Sequence, residues 1–95
     1  MSKSRCLFSL GQIVSTPGAL DAFREEGVSG LAYLQRHITG DWGDLCKADQ
    51  RENDLAVKEG FRILSAYTLP QTKVKFWIIT EADRSVTTFL LPSEY

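Results

Sequence analysis

The sequence predicts an α+β fold: a small, mostly antiparallel four-stranded sheet packed on one face by about three helices. Three observations carry that expectation. The final third holds three runs of alternating, β-branched and aromatic residues. The middle holds apolar residues at helical spacing, and one short alternating run precedes them. A chain of 95 residues is one domain by size, spanning 1–95.

Each element follows from local chemistry. Residues 7–14 read as the first strand, with Phe8, Leu10 and Val14 on one face and Leu7 and Ile13 on the other. Thr16 is placed to cap a helix that begins at Pro17, whose missing N–H is not needed there. Ala19, Leu20 and Phe23 form its apolar stripe, and Gly27 can end it in a left-handed conformation. Ser29 then caps a short helix with Leu31, Leu34 and Ile38 on one side and Gly40 as its stop. The turn Asp41-Trp42-Gly43-Asp44 leads to a polar helix over 45–59, with Leu45, Ala48, Leu55 and Ala56 as its buried side. The capping-box spacing of Asp49 and Glu52 predicts a restart or a kink near Asp49, and Gly60 closes the helix. Residues 61–69, 74–80 and 86–91 are separated by hairpin-sized connections and read as an antiparallel meander, with the first strand joining one edge. Lys75 shares a side with Trp77 and Ile79, so the second sheet face is mixed rather than cleanly polar. Such a face is a ready surface for a partner protein or for a second copy, a homodimer.

Composition narrows the function classes. The net charge of −1 lacks the basic excess that nucleic-acid binding draws on, and lacks the dense acidity of a DNA mimic. Cys6 and Cys46 sit in no motif, and with one histidine they make no zinc set, so both thiols are read as reduced in a cytoplasmic protein. The N-terminal run is too short for a signal-peptide core, and no apolar stretch approaches the ~20 residues that span a bilayer. There is no phosphate loop, no GxGxxG and no Ser/His/Asp set, so no cofactor, metal or catalytic residue is assigned.

Three constellations remain. The turn and helix from Asp41 to Glu59 hold six acids against three bases. Asp41 and Asp44 have the chemistry to hold a cation or to cap the turn, and Trp42 to anchor a partner or to cover the core edge. His37, with Arg36, Arg51 and Glu52, has the residue types for acid–base cleavage of RNA, as in small RNase toxins on a comparable α+β frame. The competing reading places His37 at a helix C-terminus, where positive charge is favourable. The hairpin tip Thr80–Ser85 packs Glu81, Asp83 and Arg84 into an exposed turn. The contact surface expected from these features is Asp41, Trp42, Asp44, Arg51, Glu52, Asp83 and Arg84.

The segments Gly40-Asp41-Trp42-Gly43-Asp44-Leu45, Arg51-Glu52-Asn53, Leu64-Ser65-Ala66-Tyr67 and Trp77 to Ser85, with Thr87-Thr88 and Leu91-Pro92, carry a resemblance. From Phe8 to Tyr95 the chain resembles a family of small uncharacterised bacterial proteins encoded on plasmids and integrative elements. Members carry labels such as "plasmid-related protein" or "type I restriction endonuclease subunit M". An adenine methyltransferase needs an Asn/Asp-Pro-Pro-aromatic motif, whereas Pro17, Pro70 and Pro92 are isolated. The resemblance therefore implies a mobile-element accessory, at most a companion of a restriction–modification system, and supplies no catalytic residues. The expectation is a non-enzymatic protein working by protein–protein interaction with an unidentified partner. The alternatives are an RNase toxin-like protein and an antirestriction inhibitor.

Overall fold

A computed structural model describes residues 5–95. The elements are β1 (Gln12–Ser15), α1 (Pro17–Glu26), α2 (Leu31–Ile38), α3 (Lys47–Glu59), β2 (Ile63–Thr68), β3 (Lys75–Thr80) and β4 (Val86–Leu90), then a 3-10 turn at Pro92–Glu94. The sheet order is β1-β4-β3-β2. β2, β3 and β4 form the antiparallel meander, and β1 lies parallel to β4 at the edge. This is the predicted α+β architecture.

Register assigns the two faces. Ser65 pairs with Ile78, and Ile78 with Phe89, so Ile63, Ser65, Tyr67, Phe76, Ile78, Thr80, Thr87 and Phe89 share one side. All of these are buried, and Phe23, Ala19, Ala22 and Leu34 from α1 and α2 pack on that side. Phe23 meets Phe76 and Phe89 edge-on, with ring centroids 4.9 and 5.4 Å apart. A second cluster of Trp42, Ala56 and Ile63, flanked by Phe8, Leu45 and Val57, seats α3 at the β2 end.

The helix α1 forms as local chemistry predicts. Thr16 Oγ1 accepts from Ala19 N at 3.2 Å, Pro17 opens the helix and Gly27 closes it at φ 77°. The Glu94 carboxylate also accepts from Thr16 Oγ1 and Gly18 N, fastening the last turn of the chain to this helix start. At the other end of α1, the Glu26 carboxylate accepts from Gln71 N and Thr72 N and so clamps the β2–β3 turn.

Three expectations are corrected. The first strand is shorter and later than 7–14. Leu7 N donates to Ile38 O, so Leu7–Leu10 cross beside α2, and Gly11 at φ 66° turns the chain into β1 against the Ser85 carbonyl. Phe8 and Leu10 therefore enter the cores while Val14 stays exposed. In α2 the N-cap position is Gly30, with Ser29 one residue earlier reaching only Leu31 N at 3.4 Å, and the buried residues are Leu34 and His37. A Cβ at position 30 would lie 2.9 Å from the Phe89 ring, and this close seating rotates Leu31 outward to 61% exposure. Leu20 on α1 is likewise exposed. Finally, α3 runs unbroken through Asp49, and its inward residues are Asn53 and Ala56 rather than Ala48 and Leu55.

Candidate functional site

The glycines around Trp42 set its position. Gly40 and Gly43 take φ 93° and 79°, and the chain between them folds the indole under the loop. Trp42 is 3% exposed, stacks on Phe8 at 6.3 Å and meets His37 edge-on at 6.0 Å. Its Nε1 donates to Asp54 Oδ1 at 3.0 Å. Trp42 is a core residue, with its polar tip satisfied as a buried indole requires.

The acids beside it are engaged as well. Asp41 accepts from Arg36 Nε at 2.7 Å and from Arg36 Nη2 at 3.4 Å. The Arg36 guanidinium, in that bond, holds the Asp41 carboxyl below the usual carboxylate range. The same guanidinium lies over the Tyr67 ring at 4.7 Å. Tyr67 Oη donates to Asp41 O at 2.6 Å, and burial pushes the phenol up to about 12. Asp44 accepts from Thr68 Oγ1 at 2.8 Å. Asp41 and Asp44 thus tie the turn to α2 and β2 rather than facing each other across a cation. Among the described residues, no three His, Cys, Asp or Glu side chains gather as a metal site. Cys6 and Cys46 are both free and exposed.

The hairpin tip divides. Asp83 Oδ1 accepts from Ser85 N at 3.0 Å, and hydrogen bonding from Ser85 holds its carboxyl low. Arg84, at φ 61°, turns inward. Its Nη1 donates to Phe61 O at 2.7 Å, just past the end of α3, and its Nη2 to Ala56 O at 3.0 Å, a carbonyl in the last turn that also accepts from Gly60 N and Phe61 N, so its charge sits at the C-terminal end of α3. It also lies 5.5 Å from the centre of the Phe8 ring. Arg51 and Glu52 stand exposed on α3 and line different hollows, Arg51 with Asp54, Leu55 and Lys58, and Glu52 with Leu45, Asp49, Asn53 and Leu64. The structure therefore brings Trp42, His37 and Arg84 together around Phe8, and leaves Arg51, Glu52 and Asp83 apart from them.

His37 is the centre of that group and is 0% exposed. Its Nδ1 lies 2.6 Å from Ser65 Oγ and its Nε2 lies 2.9 Å from Thr80 Oγ1. Thr80 Oγ1 lies 2.7 Å from Thr87 Oγ1, which donates to Leu10 O at 2.7 Å. The last bond sets the direction of the rest. Thr87 has spent its proton on a carbonyl, so it accepts from Thr80, and Thr80 in turn accepts from His37. The imidazole is then the Nε2–H tautomer, and Nδ1 accepts from Ser65. Burial, with the nearby Arg84 charge adding to it, pushes its pKa down to about 3. Both nitrogens are occupied, and Arg51 and Glu52 stand elsewhere on α3. This is a structural imidazole, not one presented to a substrate.

Comparison of the chain with family models, with curated proteins and with solved structures finds no match to any of them.

The second face of the sheet is covered less completely than the first. Register puts Val14, Val86, Thr88, Leu90, Lys75, Trp77, Ile79, Leu64, Ala66 and Thr68 on it. Ile79 and Leu90 are buried among their neighbours, whereas Val14 is exposed and Leu64, Ala66, Trp77, Val86 and Thr88 are half-buried. The cover it has lies near Trp77, where Tyr95 meets the indole edge-on at 5.7 Å and receives a hydrogen bond on Oη from Arg62 Nη2 at 2.6 Å. Beside it Asp44, Ala66, Thr68, Lys75, Trp77 and Pro92 line a cleft of about 580 Å³. The alternation of Lys75, Trp77 and Ile79 marks this face in the sequence. Its extent depends on strand order, which no local signal carries.

Proposed function

We propose that this protein is a non-enzymatic accessory that works by binding another protein, and that the contact is the second face of its sheet. The observation that carries this reading is the contrast between the two faces. One is filled by α1, α2 and the Trp42 cluster, while the other presents half-buried apolar side chains around the Trp77 cleft. Apolar patches of this kind, rimmed by charges such as Lys75 and Asp44, are characteristic of partner surfaces. The partner that fits is a protein segment with an apolar or aromatic side chain for the cleft and polar groups for Lys75 and Asp44. The mobile-element context is supported by the resemblance of the Gly40–Leu45 and Trp77–Ser85 segments. The neutral, fully bonded state of His37 favours binding over acid–base chemistry.

The test is affinity capture from the native host with the wild type and with Thr88→Glu and Trp77→Ala. The reading expects a partner retained by the wild type and lost by both variants, Thr88→Glu melting close to the wild type and Trp77→Ala lower but still folded at the temperature of capture. A partner that both variants retain, or none above background, refutes it.

A further inference from the structure

The two edges of the sheet are finished differently. Along β2, Leu64 N donates to Asn53 Oδ1 and Leu64 O accepts from Asn53 Nδ2. Ala66 N donates to Trp42 O, and Ala66 O accepts from Asp44 N. That edge is closed by side-chain and loop partners. Beyond β1, among the described residues, the sheet has no further strand. A residue in a parallel pair directs both of its backbone groups to the same neighbour, and residues alternate in which neighbour they serve. Gln12 N donates to Ser85 O at 3.0 Å and Thr16 N to Phe89 O at 2.9 Å. Gln12, Val14 and Thr16 therefore serve β4, and the N–H and C=O groups of Ile13 and Ser15 point outward. All four residues of β1 are exposed, Ile13 at 49%.

An open edge is normally guarded by charged side chains, an internal proline or a bulge. This one carries no charge. Between Arg5 and Asp21 the sequence has no Lys, Arg, Asp or Glu, and Pro17 falls after the strand, not within it. The edge is also complementary to itself. In an antiparallel pair related by a two-fold axis, residue i faces j and j faces i. With Ile13 and Ser15 as the outward residues, the axis falls on Val14. Ile13 of each copy then exchanges backbone hydrogen bonds with Ser15 of the other, and the two Val14 side chains meet as a non-hydrogen-bonded pair, the closer of the two pair types. No charge opposes a like charge in that register.

We propose that β1 pairs antiparallel with β1 of a second copy about a two-fold axis through Val14, joining two four-stranded sheets into one. The partner is another copy because the only requirement of the edge, a short uncharged strand with outward groups two residues apart, is met by the edge itself. The pairing stands on the edge alone and does not depend on the Trp77 face binding a foreign protein. So short a strand buries less than the ~1,000 Å² of a stable interface, which makes the dimer weak and concentration-dependent.

Sedimentation velocity on the full chain from about 10 µM to about 1 mM tests it. The expected result is a mass rising from 10.7 kDa toward twice that value. Amide hydrogen exchange at Ile13 and Ser15 should slow over the same range. Val14→Lys sets two ammonium groups face to face and should weaken association at least tenfold without moving the melting temperature, since Val14 is exposed. Ser15→Pro removes an outward donor and leaves the β4 ladder intact, and it should do the same. A mass fixed at 10.7 kDa up to 1 mM overturns the proposal. So does a dimer that survives both variants, or one in which the Ile13 and Ser15 amides exchange as fast as in the monomer.

Discussion

Moving the protein from pH 7 to pH 5 should remove about 2 kcal/mol of stability, and His37 should account for nearly all of it. The imidazole is held neutral in the fold with a pKa of about 3, against 6.5 for the free side chain. Between those values the unfolded chain binds a proton that the folded chain refuses, so stability rises with pH across this window and falls as acid is added. Each full unit is worth about 1.4 kcal/mol. Little of the effect has developed at pH 7; about 2 kcal/mol has developed at pH 5 and about 3 at pH 4. The carboxyls held low by hydrogen bonds, Glu26, Asp41, Asp83 and Glu94, act in the same direction but at lower pH. Their contributions persist above the ordinary carboxylate values and fade only as pH drops through and below them. The chain has one histidine, so the interval from pH 7 to 5 isolates it. The assay is urea unfolding at pH 7, 6 and 5, followed by tryptophan fluorescence, for the wild type and His37→Gln. The wild-type midpoint should fall steeply and the variant's should stay nearly level. Equal wild-type midpoints at pH 7 and 5, or a variant as pH-sensitive as the parent, would refute the buried neutral imidazole. Nitrogen-15 shifts supply an independent check, since the hydroxyl chain requires the proton on Nε2.

Two substitutions probe the surroundings. Trp42→Ala empties the second cluster and should cost about 3–5 kcal/mol, whereas Trp42→Phe, which loses the bond to Asp54, should cost much less; thermal melts of the pair separate packing from polar loss. Asn53→Leu strips both partners from the Leu64 backbone and should cost about 1–3 kcal/mol, with faster exchange of the Leu64 amide as its specific sign. If Asn53→Leu leaves that amide as protected as before, the closed β2 edge is wrongly described.

Much of the fold was legible because its signals are local. Thr16, Pro17 and Gly27 bound α1 by capping chemistry alone, and the meander follows from alternation broken at two short connections. The errors occur where distant contacts decide. The run over residues 7–14 reads as one strand, yet the left-handed Gly11 and the bond from Leu7 to Ile38 divide it. Leu31 fits a helical stripe, but Gly30 must sit against Phe89, and that contact turns the helix. The role of His37 does have a trace in the sequence. It lies three residues after Leu34 on one line of α2, and Ser65, Thr80 and Thr87 are polar residues at inward strand positions. Four polar groups on core-facing positions imply that they satisfy one another. Of the residues expected at a contact surface, Trp42 and Arg84 are conspicuous by their chemistry, and it is that chemistry which the interior uses.

The parallel pairing of β1 with β4 has a consequence for biosynthesis. Leu10 and Thr87, which meet through a hydrogen bond beside that pairing, are separated by 77 residues of chain. Contacts so far apart form slowly, because the loop they close must be ordered before it is rewarded. On the ribosome the earliest strand to emerge must wait for the latest. During that wait an uncharged, apolar segment stands without its neighbour, the kind of nascent stretch that chaperones hold. Only the β2–β3 hairpin can form in the meantime, so addition of β4 and docking of the leading strand against it are the natural closing steps of maturation.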